Sequence, residues 1–177
     1  MQALVQRNYA LAAELFPKTI GEDPDGDWPA VLGYGISQQR LGRLAAARET
    51  FQRAIKDLHE ELVKAGPDPF YQADVHGILG VAYAWLGDAA SAVAEGEKAI
   101  AMKATSENPF DGPKGEERMA RIYAILGDAD HAVPLLERLL KMPYSNPITT
   151  VALQTQPAWD PIRNDHRFQQ LIAEKKP

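Results

Sequence analysis

Four histidines, His59, His76, His131 and His166, and a large set of carboxylates are the residues whose types could do chemistry here. Zinc chemistry would need two histidines four apart on a helix face around a glutamate, and no H-E-x-x-H pair occurs. His76 alone falls on a helix near the groove described below, and a packing or surface role accounts for it. Asp23-Pro24-Asp25-Gly26-Asp27 begins like a calcium loop, but that loop needs glycine next and a bidentate glutamate at its twelfth position, where Trp28 and Tyr34 stand. The same run reads better as a turn in which Asp27 caps a helix opening at Trp28-Pro29. Gly33-Tyr34-Gly35-Ile36-Ser37 lacks the third glycine of a dinucleotide loop and the follower of a nucleophile elbow. Gly112-Pro113-Lys114-Gly115 lacks the glycine spacing and trailing hydroxyl of a phosphate loop, and Asn108-Pro109-Phe110 reads as a turn. The paired acids Glu60-Glu61, Glu95 with Glu97, and Glu116-Glu117 sit on helix faces where partners such as Arg121 for Glu117 account for them. No two share an apolar pocket that would drive their acid constants apart. The chain is therefore read as non-catalytic, with no catalytic, cofactor-binding or metal-ligating residue.

Composition narrows the partners. The 177 residues carry 24 Asp and Glu against 19 Lys and Arg, a net charge of −5, and no cysteine. An acidic balance argues against nucleic acid, whose binders displace counterions from phosphates with a basic face. The missing thiols exclude disulfides and Cys-ligated metals and suit a reducing cytoplasm, the expected location. No apolar run approaches the ~20 residues of a membrane span, so no membrane partner is expected.

The elements that must position these side chains repeat along the chain. Leu86-Gly87-Asp88 returns as Leu126-Gly127-Asp128, and Leu41-Gly42-Arg43 fits the same frame. Seven residues before each glycine stands a small residue (Gly35, Gly80, Ala120), and five after stands alanine (Ala47, Ala92, Ala132). Small residues let two antiparallel helices approach closely, and the glycine supplies the strained backbone of the turn between them. This order matches the tetratricopeptide repeat (TPR), a helix–turn–helix of about 34 residues. Tyr9, Ala12, Phe16, Ile20 and Pro24 continue it as a second helix, with Arg7 at the turn position. The frame begins mid-repeat, as in a segment of a longer chain. The expected fold is all-α: a right-handed TPR superhelix of about 3.5 repeats over residues 1–142, with a half-repeat at 1–24 and repeats at 28–65, 70–104 and 113–142.

The glycines are spaced more widely than the ideal repeat. One excess is a long helix from Leu44 to Lys64, kept half-buried by Ala47, Phe51, Ala54, Ile55, Leu58 and Leu62. The other is the loop from Thr105 to Gly112. Residues 143–177 leave the pattern, with a short helix expected after Asn146-Pro147. A stack of helix pairs leaves its last apolar face bare. Ile148, Val151, Leu153, Trp159, Ile162, Phe168 and Leu171 are expected to fold back as a helical cap, and 175–177 to fray.

Three stretches carry a further resemblance: Leu79-Gly80-x-Ala82-Tyr83-x-x-Leu86-Gly87, Asp111-Gly112-Pro113, and Trp159-Asp160-Pro161-Ile162-Arg163-x-Asp165-x-Arg167-Phe168. Together they resemble the C-terminal TPR region of bacterial multidomain signalling proteins of serine/threonine kinase, adenylate cyclase or TolB-like and winged-helix types. The resemblance implies a non-catalytic regulatory scaffold that binds protein. None of the kinase, cyclase or DNA-binding residues is present to carry those activities.

In such a stack the first helices line the inner curve. Counting positions from each turn glycine places Leu32, Ile36, Gln39, Arg40, Val81, Trp85, Lys114, Glu117 and Arg121 in a protein-binding groove, and the resemblance to carboxylate-clamping TPR domains adds Arg118. Lys114 and Arg118 match the last basic pair of TPR domains that clamp a terminal carboxylate. Leu32, Ile36 and Ile78 stand where the other lysine and the asparagines belong, so a chaperone-tail clamp is not expected. What remains is an apolar patch anchored by an exposed Trp85, beside a basic end that selects charge. On this reading Trp85→Ala weakens partner capture without changing helical content. The occupant is a peptide or protein segment, or else the C-terminal tail or a neighbouring domain of the same parent chain covers this face permanently. The alternative function is structural: homodimerisation through Val5, Tyr9, Leu11 and Leu15 on the truncated N-terminal face.

Overall fold

The computed structural model describes residues 2–22 and 27–173. Every regular element among them is helical: α1 (Gln2–Val5), α2 (Tyr9–Glu22), α3 (Trp28–Arg40), α4 (Leu44–Lys64), α5 (Pro69–Leu86), α6 (Ala89–Met102), α7 (Pro113–Ile125), α8 (Ala129–Leu139), α9 (Thr150–Thr155), a 3₁₀ helix (Pro157–Ile162) and α10 (His166–Ala173). The expected helix end at Pro24, the acidic turn over 23–26 and the fraying over 175–177 lie outside the described residues.

Helix starts follow local chemistry. Asp27 Oδ1 accepts from the Ala30 amide at 3.0 Å, and Asp68 Oδ1 from the Phe70 amide at 2.9 Å. Each relieves one of the unpaired N–H groups that open a helix. The recurring Gly-Asp pair has a two-part explanation. Gly87 (φ 88°) and Gly127 (φ 81°) take the left-handed turn. The next residues, Asp88 and Asp128, then cap α6 and α8 through the Ser91 and His131 amides, each at 3.1 Å. Gly42 turns in the same way (φ 75°), but Arg43 follows it and supplies no side-chain cap. At the first turn Arg7 itself holds φ 58°.

Three helix pairs, α3–α4, α5–α6 and α7–α8, pack side by side. The small residues mark the tightest crossings. A Cβ on Gly35 would meet the Phe51 ring at 2.5 Å; one on Gly80 would meet Ile122 Cδ1 at 2.6 Å and the Ala92 carbonyl at 2.9 Å. Helix α4 runs 21 residues, burying Ala47, Phe51, Ala54, Ile55 and Leu58 on one stripe. Its wet face carries the spaced pairs Arg53–Asp57 and Lys56–Glu60, both at 3.6 Å.

The residues after Met142 cover the last pair. Ile148, Leu153, Trp159, Ile162, Phe168 and Leu171 form one core with Val133, Leu136 and Leu139 of α8. Burying each such side chain contributes about 1.5–3 kcal/mol. Val151, expected among them, is 63% exposed. Helix α9 has only six residues, so turning Leu153 inward leaves Val151 on its wet side. Adjacent residues then join different cores. Ala158 packs into the larger core of α1–α7, and Trp159 into the core that the other face of α7 shares with α8 and the tail. No helix among the described residues is long and apolar enough to cross a membrane.

Candidate binding groove

The first helices of the three pairs face one concavity of about 510 Å³. Helix α3 contributes Trp28, Leu32 and Ile36, and α5 contributes Ile78, Val81 and Trp85. Helix α7 adds Glu117, Arg118 and Arg121 along one side. Leu4 and Val5 of α1, and Asn146 with Gln156 to Ala158 of the tail, complete the wall. A largely apolar hollow of this size with a few polar groups at one edge has the character of a binding pocket.

Seven of the ten groove residues expected from the sequence line this hollow: Leu32, Ile36, Val81, Trp85, Glu117, Arg118 and Arg121. Three do not. Gln39 lines a separate hollow of about 180 Å³ against Leu44, Phe51 and Leu86. Lys114 turns back to Asp111 at 3.0 Å. Arg40 reaches the tail, donating to the Pro157 carbonyl at 3.3 Å and to Asp160 Oδ2 at 3.0 Å. The contribution of α1 was missed because chain path, not periodicity, brings it there; the tail, weighed as a cover for this face, forms part of its wall.

Two expectations about the groove are corrected. Trp85 is not an exposed anchor: it is 9% accessible, and its ring stacks on Phe51 at 6.4 Å with 10° between planes. A large indole at the junction of α3, α4 and α5 is worth more as packing than as a contact point. The basic end is not a free cationic site either. Arg118 donates to Asp74 at 2.5 Å, its chain lying where a Cβ on Gly77 would stand. Arg121 donates to Gln156 at 2.6 Å and to Glu117 at 3.1 Å, with its guanidinium over the Trp159 ring at 5.0 Å. Glu117 also accepts from the Tyr144 hydroxyl at 3.0 Å. Burial, with the Glu117 charge and hydrogen bond, pushes the Tyr144 phenol above its ordinary range, so it stays a donor.

The tail motif acts as a fastener. Trp159, Ile162 and Phe168 enter the core, while Asp160 collects Arg7, Arg40 and Arg163. Burial would raise the Asp160 carboxyl; hydrogen bonds from Arg7 and Arg163 and the charges of Arg7 and Arg40 outweigh it and hold it below the usual range. Asp165 caps α10 through the Arg167 and Phe168 amides at 2.9 and 3.3 Å, and Arg167 ties α10 to Asp130 of α8 at 2.8 Å. Sequence pattern pointed to this stretch without revealing which partners it serves.

Three of the histidines have hydrogen-bond partners. His76 Nδ1 lies 2.5 Å from Glu95 Oε2, and Lys98 donates to Glu95 Oε1 at 2.7 Å. Burial would raise the Glu95 carboxyl, but the Lys98 and His76 contacts hold it below its ordinary value. The trio lies between α5 and α6 and lines neither hollow. His59 meets the Tyr83 hydroxyl at 3.1 Å, and His131 lies 2.6 Å from Asp128. No group of three or more His, Asp or Glu that could hold a metal ion occurs among the described residues. The chain matches no protein-family model, no characterised protein and no solved structure.

Proposed function

We propose that the chain is a non-catalytic interaction module of TPR type that holds a peptide or protein segment in its concave groove. In the setting that the sequence resemblance implies, it would serve a larger bacterial signalling protein as a regulatory scaffold. One observation carries the reading: the first helices of three successive pairs, α3, α5 and α7, supply most of a single hollow. A repeat stack that presents its inner helices to a ligand is built in this way.

Selection of peptides from a random library tests it. Binders should lose affinity for Ile78→Glu, which charges a half-buried groove wall, and keep it for Val63→Glu on the outer face of α4. Selected binders indifferent to Ile78→Glu, or no binders at all, would overturn the groove reading.

A structural second reading has one supporting feature. Leu11 and Leu15 of α2 are 40% and 43% exposed, an apolar edge that could pair two copies. Val5 and Tyr9 are half-buried, and Val5 lines the groove, so that edge is narrower than the sequence alone indicates. Light scattering at several concentrations separates the readings, because a strict monomer removes this one.

A further inference from the structure

We infer that the groove takes a short, uncharged, apolar segment with no free chain end, rather than a charged tail or an extended peptide running through. This rests on the groove reading above and names the chemistry of its occupant.

Charge is the first ground. Both cations at the edge already hold carboxylates, Arg118 with Asp74 and Arg121 with Glu117. The four charges cancel, and Gln156 takes a further Arg121 donor. An incoming carboxylate would give up its hydration and, among the described residues of the wall, find only cations that are already paired, with Asp74 and Glu117 close by to repel it. An incoming ammonium fares no better, since each acid already faces a guanidinium. Apolar side chains and neutral amides meet no such cost against Leu32, Ile36, Ile78 and Val81.

Length is the second ground. The tail crosses the open side: its 3₁₀ helix packs on α7, yet Arg40 at the end of α3 and Arg7 in the α1–α2 turn both hold Asp160. Pro157 and Ala158 thereby become groove wall on one side, and Leu4 and Val5 of α1 on another. An extended peptide laid along the helix stack would run against Pro157 and Ala158, where the tail bridges α7 and the end of α3. At about 510 Å³ the hollow suits a short segment.

The test uses N-acetyl-Leu-Phe-Leu amide and the same peptide as a free acid, titrated into the intact chain by calorimetry. Fluorescence of Trp28 and Trp85, both in the wall, gives a second readout. The amide should bind at least fivefold tighter than the acid and lose binding in Ile78→Glu. Its affinity should change less than twofold between about 0.05 and about 0.5 M salt, because no net charge is recruited. Asp74→Asn, at a side chain 40% exposed, frees Arg118 and should improve the acid form selectively. Equal or tighter binding of the acid to the unaltered chain would overturn the inference, as would failure of both peptides. Library binders that depend on Ile78 but carry charged anchors would overturn it too, while leaving the groove reading intact.

Discussion

Arg7 and Asp160, 153 residues apart in the chain, meet in a two-pronged ion pair: Nη1 to Oδ2 at 3.0 Å and Nη2 to Oδ1 at 2.6 Å. The same carboxylate accepts from Arg40 at 3.0 Å and from Arg163 at 3.0 and 3.1 Å. One acid thus ties the first turn, the end of α3 and the tail together across the groove. Arg7 makes this contact from a left-handed backbone that the other helix-pair turns give to glycine.

Removing that acid leaves three guanidiniums facing one another. Asp160→Asn is expected to lower stability by about 1–3 kcal/mol, the range for charged hydrogen bonds of a half-buried group. Urea unfolding gives the value. An unchanged midpoint would mean the pairs are incidental to the closure.

Acid should undo the same fastening. The folded-state carboxyls of Asp160 and Glu95 both lie below their ordinary values. Their contribution is therefore complete above the unfolded value near 4 and lost as pH falls through the lower folded values. Melting temperature is expected to hold from pH ~7 to ~5 and drop below ~4. The Asp160→Asn curve should fall less steeply over that acid limb.

The strained turn can be separated from its ion pair. Arg7→Ala and Arg7→Gly both lose Asp160, but only glycine relieves the positive φ. Arg7→Ala should therefore unfold about 1 kcal/mol more easily than Arg7→Gly. Gly87→Ala, with no neighbour within 4 Å of the new Cβ, should cost about 1–2 kcal/mol through backbone strain alone. Paired chemical denaturation curves decide both.

Core crossings should rank by what the added atom meets. Gly80→Ala pushes against the Ala92 carbonyl, which belongs to the backbone of α6, and is expected to cost about 1–3 kcal/mol. Gly77→Ala meets first the flexible Arg118 chain and should cost less, at the expense of the Asp74 pair. Trp85→Ala leaves a void against Phe51 and should cost about 3–5 kcal/mol, so it reports on folding more than on binding. Thermal melts with near-ultraviolet circular dichroism test the order.

The all-helical architecture was readable from the residues themselves. Stripes at 3/4 spacing, Gly-Asp turns and aspartate caps act over a few residues, and local chemistry of that kind is written in linear order. Helix α4 and the apolar residues of the tail follow from the same signals. Tertiary structure alone decided the rest. It buried Trp85, paired Arg118 with Asp74, turned Lys114 and Gln39 away from the groove, and left Val151 in water. It also led the tail back to Arg7 and Arg40. No periodicity encodes that path, because a charge can mark itself as needing a partner but only the folded chain brings one within 3 Å.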